Sequence, residues 1–361
     1  MGDNMKGVLL SGGTGSRLRP ITHTGPKQLV PVANKPVLEY AIEDFKNIGI
    51  TEIGVVLGNK GRNEIQEFLG DGSKYDVNIT YIVQGNPLGL AHAAGCARDF
   101  VENDDFVMYL GDNILKSGIS DLVESFKSKD YGAGIALQEV DKPHQFGIVD
   151  VDDDGNVERL IEKPDDPPSN LALIGIYVFS PAIFDVIDRL EPSWRGELEI
   201  TDAIQYLLED GYKIDSHTVG GWWKDTGKPE DILEANRLVL EDKSLKLRGT
   251  IENGAETSGQ IGLAESATIE SGAVVRGPVS IGDGSIIRDG TYVGPYTSIG
   301  ENTTLDGVHI ENSVVIGDSQ ITTSKKIVDG LLGRGANIGN ADDCLPKGQR
   351  LVVGENSQLK L

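Results

Sequence analysis

Along the first 245 residues, short apolar runs alternate with longer stretches in which apolar residues recur every three to four positions. The short runs are Gly7–Leu10, Glu52–Leu57, Asn78–Val83, Phe106–Leu110, Ala133–Glu139, Gly147–Val151 and Ala172–Phe179. Their length and β-branched content predict strands. The stretches Val37–Ile48, Arg62–Leu69, Leu90–Phe100, Ile119–Lys127, Pro181–Arg189, Ile200–Glu209 and Pro229–Leu240 predict helices with one buried stripe. Asp152-Asp-Asp-Gly-Asn156 parts two strand-like runs and reads as a hairpin turn. Strand and helix in alternation predict an α/β sheet with crossover helices. Ligands of such sheets bind beyond the carboxyl ends of the strands. Ser11–Arg17, Gln84–Gly89 and Gly111-Asp112 all fall there.

Past Arg248 the period changes. Aliphatic residues occupy Leu263, Ile269, Val275, Ile281, Ile287, Val293, Ile299 and Leu305, one every six residues without a slip. Two positions ahead of each stands Ile261, Ala267, Ala273, Val279, Ser285, Thr291, Thr297 or Thr303, all small or β-branched. A hexapeptide period predicts a parallel β-helix with the aliphatics stacked inside and about eighteen residues per triangular coil. The eight hexads supply between two and three coils, and the register slips at Ile310 and Ile316, where a bulge or edge coil is expected. An exposed end coil would leave unpaired backbone, so capping by the tail or assembly into a homo-oligomer is expected.

Composition narrows the partners. The chain has 361 residues and a formal net charge of −23, which argues against nonspecific nucleic-acid binding and against docking on anionic lipid. So acidic a surface suits a high-salt cytoplasm. No apolar stretch reaches the roughly 18 residues of a membrane span, and the N-terminal residues do not read as a signal peptide, so a cytoplasmic protein is expected. Two cysteines, Cys96 and Cys344, form no disulfide or metal-ligand pattern. The acids are also unevenly spread. None occurs from Asn4 to Leu38, where about five would fall by chance, while Lys6, Arg17, Arg19, Lys27 and Lys35 do. That window is the electropositive ground an anionic ligand requires.

At its centre is Leu9-Leu-Ser-Gly-Gly-Thr-Gly-Ser-Arg-Leu-Arg-Pro20, a strand end running into a glycine-rich turn. No lysine-serine or lysine-threonine pair follows these glycines, which excludes a Walker A loop, and Leu18 stands where a dinucleotide fingerprint needs its third glycine. What remains is a turn whose amides can approach phosphate, with Arg17 and Lys27 to neutralise charge on it.

These motifs, with those that follow in order, resemble the sugar-1-phosphate nucleotidyltransferases. The signatures are SGGTGSRLRPIT with PKQLVPV, QGNPLGLAHA (84–93), YLGDN (109–113), FGIV (146–149), IEKP (161–164), IGIYVF (174–179), RGELEITD (195–202) and WWKDTG (222–227). Within the family the chain is similar to the long-form, thymidylyl-transferring members, and GENS (354–357) in the tail also fits that form. The resemblance implies an α/β, Rossmann-like nucleotidyltransferase domain with a largely parallel central sheet over residues 1–245. A left-handed parallel β-helix of hexapeptide repeats with a C-terminal tail would follow over 249–361.

It also implies a reaction in which glucose 1-phosphate attacks the α-phosphorus of dTTP, giving dTDP-glucose and pyrophosphate, the first step of dTDP-deoxysugar synthesis. A sugar phosphate is mostly dianionic at neutral pH, its second pKa being about 6, so no general base is needed. Arg17 and Lys27 would be the catalytic cations. Leu10, Gly12, Gly13, Thr14, Gly15, Gln84 and Gly89 would bind the nucleotide. Gly147, Glu162, Lys163, Ile174 and Tyr177 would bind the sugar phosphate, with Arg195 and Glu197 near the sugar. Asp112 and Asp225 would hold Mg2+. UTP use or a broader sugar specificity stays open. A second, acetylating activity in the β-helix has little support, since His309 is the only histidine after His217. A silent regulatory homologue would have lost a catalytic charge, and all four are present.

Overall fold

The computed structural model describes residues 5–339, so Cys344 and the GENS stretch lie outside the described residues. In chain order the strands of the first part are β1 (Met5–Ser11), β2 (Pro31–Val32), β3 (Lys35–Pro36), β4 (Glu52–Gly58), β5 (Asn78–Gly85), β6 (Asp105–Leu110), β7 (Asn113–Leu115), β8 (Ala133–Glu139), β9 (Gly147–Val151), β10 (Val157–Glu162), β11 (Leu171–Phe179), β12 (Ile214–Thr218) and β13 (Trp223–Asp225). The helices are α1 (Val37–Asn47), α2 (Arg62–Leu69), α3 (Leu90–Gly95), α4 (Arg98–Val101), α5 (Ser120–Lys127), α6 (Ala182–Ile187), α7 (Ile200–Glu209) and α8 (Pro229–Asp242). The described residues gather into two compact units, residues 5–14 with 38–225 and residues 15–37 with 226–339. This spatial grouping differs from the division by sequence texture near 245, because an early loop and α8 group with the repeats.

The first unit is built on a sheet ordered β10-β9-β11-β6-β1-β4-β5, with β8 pairing β11 and β12 pairing β8. Strands β6, β1, β4 and β5 run parallel, the Rossmann-like half of the sheet. β11 runs antiparallel to β6, β8 and β9, so the sheet is mixed beyond β6. Alternation along β1 sends Val8 and Leu10 into a core shared with Val56, Met108, Ala91 and Ala94 of α3, and Ile204 and Leu207 of α7. The other face meets α1, where Phe45 packs edge-on against Tyr109 at 5.9 Å. Both faces are covered, which is why these strands read as continuous apolar runs.

One sequence expectation changes, and two strand pairings are added to it. The helix expected over Leu90–Phe100 breaks into α3 and α4 after Gly95, a poor helix former, whose site faces Ile187 too closely to take a larger residue without movement. The polar segment Ile214–Thr218 was not read as a strand, yet it pairs in parallel with β8. The short β7–β13 ladder was not expected either. The turn at Asp152 is as read: Asp152 Oδ1 accepts the amides of Asp154 and Asn156 at 2.9 and 2.8 Å and closes the β9–β10 hairpin.

In the second unit the hexads wind into three parallel sheets, the left-handed β-helix that such repeats build. Register partners on one face are Ile251, Ile269, Ile287 and Leu305, eighteen residues apart, and then Ile321 and Ile338 after shorter coils of sixteen and seventeen. The helix therefore continues well past the eight regular hexads. All eight predicted aliphatics are buried, and so are all eight residues two positions ahead of them. At the slip it is Val315, not Ile316, that enters the core after Ile310, because the coil there is two residues short.

Candidate functional site

In the first unit, β1 delivers Leu10 and Ser11 to the sheet's carboxyl edge, where the amide of Gly111 donates to Leu10 O at 2.9 Å. Gly12, Gly13 and Thr14 follow directly. Gly12 lies against the end of β5: a Cβ on residue 12 would stand 2.8 Å from Gln84 Oε1. Gln84 Nε2 donates to Gly89 O and lies 3.3 Å from His92 Nδ1, which holds the amide across its own loop. Gly89 has φ 115° and abuts the backbone of Leu198, while Leu198 N donates to Leu88 O at 2.7 Å. The glycine turn and the Gln84–Gly89 loop are thus brought together. His92, to which the sequence reading gave no role, helps to set Gln84.

β6 ends at Leu110 and the chain turns through Gly111 and Asp112 into β7, which pairs with β13 so that Asn113 faces Asp225. This ladder brings the two expected metal ligands to one place from more than a hundred residues apart. Asn113 is buried and locks the ladder. Its Nδ2 donates to Ile174 O at 2.9 Å and its Oδ1 accepts Trp223 Nε1–H at 3.0 Å. Asp225 Oδ1 is a buried oxygen atom. Among the described residues no three His, Cys, Asp or Glu form a metal cage. Two carboxylates completed by phosphate and water are instead the usual magnesium donor set, and Asp112 with Asp225 fit it.

The sugar-side residues gather at the start of β9 and the end of β10, where Gly147 and Glu162 are register partners. Glu162 Oε2 accepts Thr201 Oγ1–H at 3.1 Å, while its Oε1 lies 3.3 Å from both Arg195 Nη1 and Lys163 Nζ. Arg195 also pairs with Glu197 at 3.1 Å and Glu199 at 3.2 Å. Gly147 faces Thr201 and Glu162 closely. Burial, more than any neighbour, pushes the carboxyls of Glu199 and Asp202 up, with Glu162 adding to both. Ile174 meets the site through its backbone, as the acceptor for Asn113. Tyr177 lies in the hydrophobic core, stacked on Phe179 at 5.7 Å, and burial followed by the charge of Glu162 raises its phenol.

Arg17 and Lys27 belong to the second unit with Gly15. Short 3-10 turns carry them, Ser16–Leu18 anchored by buried Leu18 and Lys27–Leu29 by buried Gln28. Thr22 Oγ1 donates to Gly15 O at 2.6 Å, and a Cβ at Gly15 would stand 3.1 Å from Lys27 Cβ. Within the second unit Lys27 thus packs beside Gly15, two residues before Arg17, whereas Lys6 belongs to the first unit. Lys6 starts β1, about 20 Å of extended chain before Gly12, and is held there by Phe100 O at 2.7 Å and Asp104 at 3.3 Å. It contributes nothing to the positive window.

Comparison with known proteins identifies the family. Residues 6–242 match the family described as nucleotidyl transferase. The chain is 80% identical over 357 residues to the low-salt glycan biosynthesis nucleotidyltransferase Agl11 of Haloferax volcanii, covering 99% of this chain and 100% of that one. It is 45% identical over 358 residues to a glucose-1-phosphate thymidylyltransferase of Streptomyces antibioticus, covering 99% of each. A Bacillus anthracis crystal structure provisionally named as a glucose-1-phosphate thymidylyltransferase matches with TM-score 0.61 and 40% identity, covering 65% of this chain and 94% of that one. A family match over most of the first 242 residues and relatives alike along their whole length lead to one conclusion: the chain belongs to the nucleotidyl transferase family and is a sugar-1-phosphate nucleotidyltransferase.

Proposed function

We propose that the protein transfers a thymidylyl group from dTTP to glucose 1-phosphate, releasing pyrophosphate. The observation that carries this reading is the β7–β13 ladder, which sets Asp225 opposite Asn113, next to Asp112, at the edge where the glycine turn begins. Mg2+ held by Asp112 and Asp225 would neutralise charge on the phosphates and help to orient them.

The chain's own groups do the rest. Backbone amides at Gly12, Gly13, Thr14 and Gly15 receive the triphosphate, and Gln84 with Gly89 meets the base edge. Lys163 takes the sugar phosphate and Glu162 the sugar hydroxyls, with Glu162 pre-oriented by Thr201 and Arg195. Arg17 and Lys27 offset the negative charge that grows on the α-phosphate and the leaving pyrophosphate. Catalysis is then positioning and electrostatics, with no proton to remove. Support for the thymidylyl assignment comes from the Streptomyces relative.

No helix among the described residues is long and apolar enough to cross a membrane. We place the enzyme in the cytoplasm, as a homo-oligomer that covers the end of its β-helix. The test is pyrophosphate release with magnesium, glucose 1-phosphate and each nucleoside triphosphate in turn. Fastest turnover with dTTP is expected, and equal or better turnover with UTP overturns the thymidylyl assignment.

A further inference from the structure

Strands β2 and β3 form a hairpin four residues after Lys27, and its two-residue turn is Ala33-Asn34. Both turn residues have positive φ, 49° and 61°. Such a turn favours Asn-Gly or Gly-Gly, and an alanine there is strained by about 1–3 kcal/mol. Strain of this kind persists only where the surroundings fix the conformation, and here they do so from two sides.

The amide of Ala33 donates to Asn236 Oδ1 at 2.9 Å. Asn236 sits on α8, is fully buried, and spends its whole amide on this junction. The same Oδ1 accepts Ser298 Oγ–H at 2.6 Å, and Nδ2 donates to Tyr296 O at 2.9 Å. On the other side of the turn, Asn34 Nδ2 donates to Ile299 O at 2.8 Å and to Ser280 Oγ at 3.1 Å. Tyr296, Ser298, Ile299 and Ser280 all belong to the β-helix. The hairpin is thus clasped to two neighbouring coils by two asparagines.

Lys27 stands at the base of this hairpin. Its carbonyl accepts Val30 N–H at 3.1 Å, and Val30 O accepts Val37 N–H at 3.2 Å, which closes the hairpin's stem. With Gln28, Val30 and Val32 buried, the segment from Lys27 to the turn has little freedom of its own. Whatever fixes the turn fixes the stem from which the lysine projects.

We propose that Asn236 is a positioning residue for Lys27, and that the β-helix serves the transfer reaction by holding the Ala33-Asn34 turn in its strained form. This rests on the role assigned to Lys27 above. An apolar replacement of similar size, Asn236→Leu, leaves Ala33 N–H and Tyr296 O without partners and frees the turn to relax.

The test uses the full-length enzyme and two readouts. Hydrogen exchange over residues 26–37 is expected to speed up in Asn236→Leu and, more mildly, in Asn34→Ala, whether or not the substrate assignment is right; unchanged protection in both overturns the clasp. In steady state, kcat should fall by about tenfold or more with little change in KM for either substrate, since small misplacement of a catalytic charge is costly in rate rather than in binding. A double-mutant cycle separates positioning from general damage. In a Lys27→Ala background, Asn236→Leu should cost almost nothing further, whereas an undiminished loss shows that Asn236 does not act through Lys27. Asn34→Ala, less buried, answers the same questions should Asn236→Leu fold poorly. Wild-type protein that releases no pyrophosphate with any sugar phosphate and triphosphate overturns the proposed reaction, and the exchange measurement still decides the clasp.

Discussion

Trp223 donates its indole N–H to Asn113 Oδ1 at 3.0 Å, and so ties the strand that ends at Asp225 to the strand that begins after Asp112. The bond joins the two short strands beside which Asp112 and Asp225 stand, far apart in sequence. Trp223→Phe keeps a ring against Phe146 but leaves a buried amide oxygen without its donor, a loss of about 1–3 kcal/mol. Urea denaturation should register that loss. The magnesium concentration for half-maximal pyrophosphate release should rise several-fold as the ladder loosens; an unchanged magnesium requirement would show that Asn113 and Trp223 do not align the carboxylates.

Two glycines separate binding from stability. At Gly12 the obstacle to a side chain is Gln84 Oε1, the far end of a flexible side chain, 2.8 Å from the Cβ position. Gly12→Ala should therefore push Gln84 aside at little cost to the fold and raise KM for the nucleotide by about tenfold, the worth of one well-placed hydrogen bond. At Gly89 the obstacle is the backbone of Leu198, whose oxygen lies 2.3 Å from the Cβ position, and φ is 115°. Gly89→Ala cannot relax so easily and should cost about 1–3 kcal/mol or more. Thermal melts with nucleotide titrations distinguish the pair; equal effects from both would refute the contrast.

Glu199 gives a pH dependence of known sign. Burial raises its carboxyl above the ordinary 4.5, so the folded protein holds that proton more tightly than the unfolded chain. The stability it contributes is present below 4.5 and is lost as pH rises through the raised value. Glu199→Gln removes the titration while keeping a partner for Ser193 Oγ. The variant should gain on the wild type as pH goes from 4 to 7, measured by urea denaturation at each pH, and a constant difference would exclude Glu199 as the source. Asp202 shifts in the same direction but is common to both proteins.

Local pattern made much of this architecture legible, and long-range pairing hid the rest. The hexads place all eight aliphatics of the series from Leu263 to Leu305 in the core, because a six-residue strand-and-turn unit leaves one phase for inward residues. The glycine turn and the parallel strands that present it follow from the same local logic. Strand β13 is different: only its pairing with β7 makes Trp223-Lys224-Asp225 a strand. Ile214–Thr218 carries a single aliphatic, and its strand exists because β8 offers a parallel edge. Lys6 looked like part of the positive loop because it is close in sequence, but an extended strand carries it to the opposite end. Asn236 sends no sequence signal at all, being one polar residue on an amphipathic helix.

The positions two ahead of the aliphatics carry a distinction that residue type alone conceals. Thr291 and Thr297 are both buried and occupy equivalent places in successive hexads. Thr291 Oγ1 donates to Leu305 O at 3.2 Å and accepts Gly307 N–H at 3.0 Å, so its hydroxyl joins one coil to the next. Thr297 Oγ1 reaches only Pro295 O, at 3.4 Å, two residues away in its own coil. Valine matches threonine in shape, so substitution isolates the hydroxyl. Thr291→Val should cost about 1–3 kcal/mol, because Gly307 N–H loses its partner while Leu305 O keeps the Arg288 N–H, and Thr297→Val should stay within about 0.5 kcal/mol. Urea denaturation curves of the two variants make the comparison directly, and equal costs would mean that the inter-coil hydroxyl bond adds nothing to the stability of the stack.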